Sequence, residues 1–261
     1  MFFYLLFSFL FGLAIGSFLN CLIYRLAQRK TILGRSFCPW CKKTIKAIDN
    51  IPIFSFIILG GRCRYCGKKI SWQYPAVELA TGLLFTLPLF NLQLTCLAGR
   101  QATYNLQLIF RDWIILATLV FIFVYDLRYQ LVEDKVILPA AGAVFILNLV
   151  GGVVPLAKII LSLAIGVGFF GLQYFLTRGK GIGLGDLRIG LFMGAGLGWP
   201  SKLALAIFIS YIIGALASGT LLALGKKKMA DRIPLGPFLA LGTAVTIFFG
   251  EGIINWYLSI W

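Results

Sequence analysis

The chain contains no histidine and few acids, with 9 Asp and Glu against 24 Lys and Arg in 261 residues. Without imidazole there is no Ser-His-Asp triad, no Cys-His nucleophile pair and no His-ligated metal site. Acid–base chemistry near neutral pH therefore falls to carboxylates, cysteines or lysines. Polar stretches are scarce too: the only sizeable one is 24–76. A hydrophobic content of 60% and a mean hydropathy of +0.92 exclude a soluble globular chain. The net charge of +15 would suggest nucleic acid in a soluble protein. Here the positive-inside rule accounts for it, and no nucleic-acid partner is expected. The first apolar run, 2–23, lacks a basic leader region and runs into Arg25 instead of a small-residue cleavage site. It reads as a retained helix and not a signal peptide.

Apolar runs long enough to span a bilayer recur at 2–23, 77–94, 106–125, 136–154, 159–175, 189–199, 203–224 and 235–255, which predicts an all-α polytopic membrane protein with about eight transmembrane helices. Eleven basic residues lie between the first two spans. Nine more, among them Arg128, Lys135, Arg188, the lysines at 226–228 and Arg232, fall in later connections on the same side. Arg100, Arg111, Lys158 and Lys202 fall opposite. That imbalance places 24–76 in the cytoplasm and both termini outside. Three parts follow: a first helix 1–23, a cytoplasmic segment 24–76 and a membrane-embedded part 77–261.

Cys38-Pro-Trp-Cys41 and Cys63-Arg-Tyr-Cys66 form two CxxC pairs separated by 21 residues. Two such knuckles complete a tetrahedral four-cysteine site. Lys43 after the first pair and Gly67 after the second suit knuckle turns. Two disulfides are the alternative, which a reducing cytoplasm disfavours. A closed four-thiolate zinc site is structural, ordering a basic loop too poor in apolar residues to fold alone. Cys21 and Cys96 read as small packed residues.

Gly179-Lys180-Gly181-Ile182-Gly183-Leu184-Gly185-Asp186 alternates glycines with other residues and ends on a carboxylate at the mouth of a span. Submerging an Asp costs about 2.5–3.5 kcal/mol on insertion scales unless it is paired, protonated or wet. The simple reading is a loop whose Gly-Asp starts the next helix. The functional reading needs a partner, and Asp126, Glu133, Asp134 and Asp231 stand at the same ends of spans. Asp126 follows its apolar run directly, mirroring Asp186. Counting inward from Arg111-Asp112 and from Lys202 sets both roughly 5–10 Å beneath the cytoplasmic surface. Two carboxylates in one wet cavity share a proton, one activating water and the other polarising a peptide carbonyl. Alternatively Asp126 pairs with Arg128 or Lys135, as Glu133 and Asp134 are expected to do. A proton-coupled transporter would use the same carboxylates.

Gly16-Ser17-Phe18-Leu19-Asn20, the CxxC pairs bracketing Asp49-Asn50-Ile51-Pro52, then Tyr74-Pro75-Ala76-Val77-Glu78, Gly183-Leu184-Gly185-Asp186 and Pro234-Leu235-Gly236-Pro237-Phe238 occur in one order and spacing. This pattern resembles the type IV prepilin peptidases, the bifunctional leader peptidases and N-methyltransferases of pilus, type II secretion and competence systems. The resemblance implies catalytic aspartates Asp126 and Asp186, an active-site loop at Gly183 and Gly185, and accessory roles for Asp134 and Glu78. Val132-Glu133-Asp134 stands where the family has Ile-Pro-Asp, which leaves that turn open. The implied substrates are prepilins or pseudopilins with a short basic leader, cleaved at the inner membrane. The implied methyl donor is S-adenosylmethionine, for which no contacts are identified, and zinc is the implied metal of Cys38, Cys41, Cys63 and Cys66.

Overall fold

A computed structural model describes residues 2–97, 106–152, 154–225 and 233–260, side chains of 90–97 and 106 apart. Arg100, the lysines at 226–228, Asp231, Arg232 and the side chain of Cys96 lie outside the described residues. Two compact units emerge, Met1–Thr103 and Tyr104–Trp261.

In the first unit, α1 (Phe2–Ala27) and α3 (Gln73–Leu97) run antiparallel, with a short α2 (Phe54–Ile58) and a 3-10 turn Ala47–Asn50 between them. Small residues set their separation. A Cβ on Gly12 would lie 2.7 Å from the Thr81 carbonyl oxygen, and one on Gly16 would lie 2.7 Å from Glu78 Cα. Close backbone approach of this kind is how helices associate where lipid removes any hydrophobic drive. Asn20 Nδ2 donates to the Tyr74 carbonyl at 3.0 Å, closing the open end. The buried Arg25 then folds the following chain back, donating to the carbonyls of Ile32, Gly34 and Arg35.

The second unit holds α4 (Leu106–Tyr129), α5 (Asp134–Val150), α6 (Leu156–Thr177), α7 (Leu184–Leu197), α8 (Pro200–Ala223) and α9 (Gly236–Leu258). Helix α7 lies at its centre, packed by α5, α6, α8 and α9. Ile189, Gly190 and every residue from Phe192 to Leu197 are buried. The α6–α7 seam is again backbone on backbone: a Cβ on Gly166 would lie 2.4 Å from the Gly190 carbonyl oxygen, and one on Gly194 would lie 2.7 Å from that of Ser162. Ile115, Leu119, Ile137, Val144, Phe170, Phe192, Leu203 and Leu239 fill the core around it.

Each of the eight apolar runs coincides with a helix. Five of these helices, Phe2–Ala27, Gln107–Tyr129, Leu156–Thr177, Pro200–Ala223 and Gly236–Leu258, are long and apolar enough to cross a membrane. The chain is thus a multi-pass membrane protein, but eight crossings do not follow from length and composition. With 14 residues, α7 is only about 21 Å long, less than a hydrocarbon core of about 30 Å. It also begins at Leu184, not at 189, so Leu184-Gly185-Asp186 is helical where an irregular loop was expected.

Candidate functional site

Asp126 ends the buried face of α4 and is 7% exposed. Its Oδ2 accepts a hydrogen bond of 2.9 Å from the backbone N–H of Gly236, the first residue of α9. Nothing but glycine fits there, since a Cβ would lie 2.5 Å from that same oxygen. Asp186 stands in the first turn of α7, half-buried, with Oδ2 accepting from the Gly183 N–H at 3.0 Å. This is the reciprocal arm of a capping box; Gly183, having no side chain, contributes only backbone. This geometry meets the helix-start reading of the Gly-Asp pair. Asp126 and Asp186 are near enough to feel each other's charge.

The turn between α4 and α5 closes over this corner. A Cβ on Gly185 would lie 2.5 Å from Val132 Cγ2, so Gly185 is required for close approach and not for a left-handed backbone. The left-handed residues of the stretch are Arg178 (φ 49°) and Gly179 (φ 72°), which end α6. Asp134 pairs with Arg188 of α7 at 2.7 Å, a partner the sequence does not point to. Glu133 lies beside Tyr125 at this turn. The contributions of Arg188 and Gly236 were missed, because both depend on which helix ends meet. The far end of the unit carries its own buried polar cluster. There Arg111 bridges Asp112 at 2.7 Å and donates to Asn148, which caps the Ala195 carbonyl of α7. Asp112 and Asp126 are separated by 14 helical residues, about 21 Å.

Glu78 lies in the first unit, buried in α3. It accepts from the N–H of Ile53 at 2.8 Å. Ile53 has φ 63°, an unusual value for a β-branched residue.

The cysteines form the other centre. In each knuckle the first Cys N–H donates to a carbonyl five residues on, Lys43 or Lys68, and its carbonyl receives the N–H of Lys42 or Gly67. Lys42 (φ 60°) and Gly67 (φ 64°) take the left-handed position, so Lys42, not Lys43, is the turn residue of the first knuckle. Lys43 Nζ sits 5.2 Å over Tyr65 and Lys68 Nζ 4.9 Å over Trp40, so each knuckle's lysine caps the other's aromatic ring. Arg64 grips Asp49 through Nε and Nη2, which holds that carboxyl below its usual range. All four thiols are free, and their sulfurs lie within 4.8 Å of one another. Tetrahedral sulfurs about 2.3 Å from zinc would be about 3.8 Å apart, and Cys38 and Cys66 are 3.9 Å apart. The donor set fits a metal ion. Backbone N–H groups of Cys66 and Tyr65 pull the Cys63 thiol down to about 7, favouring the thiolate.

Comparison with known proteins covers nearly the whole chain. Residues 10–92 match the bacterial peptidase A24 N-terminal domain and residues 113–219 match the type IV leader peptidase family. A prepilin leader peptidase/N-methyltransferase of Legionella pneumophila is 35% identical over 97% of this chain and 93% of its own length. Proteins of the same name from Aeromonas salmonicida (33%, 96% and 92%) and Bacillus subtilis (30%, 97% and 97%) are similarly related. No solved structure matches.

Proposed function

Since the chain belongs to the type IV leader peptidase family, we propose that it is an aspartic endopeptidase of the bacterial inner membrane, removing leaders from prepilins or pseudopilins and methylating the new N-terminal amine. The observation that carries the proteolytic reading is the pair of carboxylates, Asp126 and Asp186, at neighbouring helix ends within range of each other's charge. The ionised one takes a proton from water as that water attacks the scissile carbonyl. The protonated one donates to the carbonyl oxygen, and the departing amine then recovers a proton from the pair. Gly183 and Gly185 serve the site by donating to Asp186 and by admitting Val132. None of the relatives named above bears a transporter's name, and the carrier reading has no further support. Co-expression with a prepilin tests the proposal: a leader-sized mobility shift is expected, and its absence would overturn the activity.

The cytoplasmic side carries 24–76 and the aspartates, both termini lie outside, and eight helices cross, with α5 and α7 as short members and α7 largely encased by protein. Asp134 has an accessory place, steadying α5 against α7. Its pair with Arg188 leaves the side chains 42% and 37% exposed, so it contributes about 0–1 kcal/mol. Asp134→Asn should leave prepilin cleavage within about threefold of the parent, a partly exposed ion pair being worth so little; a far larger loss in a cleavage time course would give Asp134 a chemical role.

The four cysteines bind zinc as a structural ion, and 24–76 is the platform for methyl transfer. S-adenosylmethionine supplies an electrophilic methyl group; the chain's part is to align the amine. Glu78, holding Ile53, steadies that platform. Cys63→Ser should lose the metal, read by metal analysis of the purified full-length protein. Because thiols must shed protons to ligate, the metal should be retained at neutral and alkaline pH and lost as the medium is acidified. A zinc-free parent protein, or retention by the variant, would remove zinc from the reading.

A further inference from the structure

Helix α2 exposes Phe54 (59%), Ile57 (68%) and Ile58 (75%), residues at i, i+3 and i+4 that form one face. Phe56, on another side of the helix, packs on Trp72 with ring centroids 4.9 Å apart, and Trp72 is itself 76% exposed. In water this ridge has no reason to be apolar. Its level along α1 supplies one. The N–H of Ile53, immediately before α2, is bonded to Glu78, and Glu78 packs against Gly16 of α1. The start of α3 is level with Asn20, through its bond to the Tyr74 carbonyl. The uncharged run of α1 continues to Ile23. Helix α2 therefore starts beside the last turns of that run, at most about 10 Å short of its end at about 1.5 Å per residue. Phe18, at the same level on α1, is 53% exposed.

Charge points the same way. Between α1 and α3 the chain carries ten Lys and Arg and a single acid, Asp49, which is already held by Arg64. Apolar and aromatic side chains level with a membrane helix, below a basic surface, match the headgroup–acyl boundary of an anionic bilayer.

We propose that α2 and Trp72 lie in the plane of an anionic membrane, their apolar ridge among the upper acyl chains and the lysines of the cysteine knuckles on the headgroups. The knuckles are then held against the bilayer as well as tethered to it.

The test uses the full-length protein and its Trp72→Phe variant, which keeps an aromatic ring against Phe56. Both are reconstituted in phosphatidylcholine–phosphatidylglycerol vesicles with acyl chains brominated near the headgroup. The difference in emission between the two proteins reports Trp72. That emission should be lost to the brominated chains and spared by aqueous acrylamide, with less loss in phosphatidylcholine alone. Quenching by acrylamide but not by bromine would overturn the proposal, as would protection from both that disappears on dilution with lipid, the sign of a second copy covering the ridge. Equal bromine quenching in neutral vesicles would overturn the anionic preference. Prepilin cleavage in the same vesicles is read separately, so loss of activity cannot be mistaken for loss of docking.

Discussion

Asp126→Asn and Asp186→Asn should each abolish prepilin cleavage while the protein accumulates normally in the membrane. Asparagine has the shape of aspartate and still accepts from the Gly236 or Gly183 N–H through its amide oxygen, so both helix ends keep their bonds. What each variant loses is a group able to give and take a proton. A positioned general acid or base contributes about 10²–10⁴-fold, and a pair sharing one proton fails when either member is lost. The check is the cleaved fraction of a co-reconstituted prepilin over time, with membrane abundance measured in parallel. Full processing by either variant would remove that residue from the mechanism.

Gly236→Ala should be nearly as severe without touching a titratable group. The new methyl would stand 2.5 Å from Oδ2 and 3.1 Å from Cγ of Asp126. The aspartate side chain is too short to bend aside, so it must rotate and give up its 2.9 Å bond from the Gly236 N–H. Alanine favours a helix more than glycine, so α9 itself should form at least as readily. Displacing a reacting group by about 1 Å costs about 10²-fold. We expect that fall in kcat, with KM little changed because nothing in the change contacts substrate. Gly252→Ala on the same helix, where a Cβ meets nothing within 4 Å, should cleave like the parent. If Gly236→Ala did so too, the geometry around Asp126 would be irrelevant to turnover.

Much of this architecture is legible in one dimension. Apolar runs mark every membrane-scale helix because lipid leaves the backbone no other way to satisfy its polar groups. The CxxC spacing marks the knuckles for a similar reason, since few backbone turns aim two sulfurs at one point. The start of α7 was misread because alternating glycines suggest loop, whereas Gly185 is glycine to admit Val132, a neighbour 53 positions away in the chain. The Arg188–Asp134 pair and the Gly236 donor escape for the same reason: each joins helix ends whose meeting is decided by packing. Helix α2, at five residues, is too short to show a period. Its position is set by one bond from Ile53 to a buried carboxylate.

The seam between α6 and α7 has a mechanical consequence. With carbonyls and glycines in direct contact along Gly166, Gly190 and Gly194, and the Phe170 ring of α6 laid on Gly190, the two rods interlock. They cannot slide or roll past each other, and they travel as a single lever. A substrate that must pry open the corner between Asp126 and Asp186 will find α7 stiff, and yielding will fall to the strut on the other side, the bend at 130–133 that carries Val132.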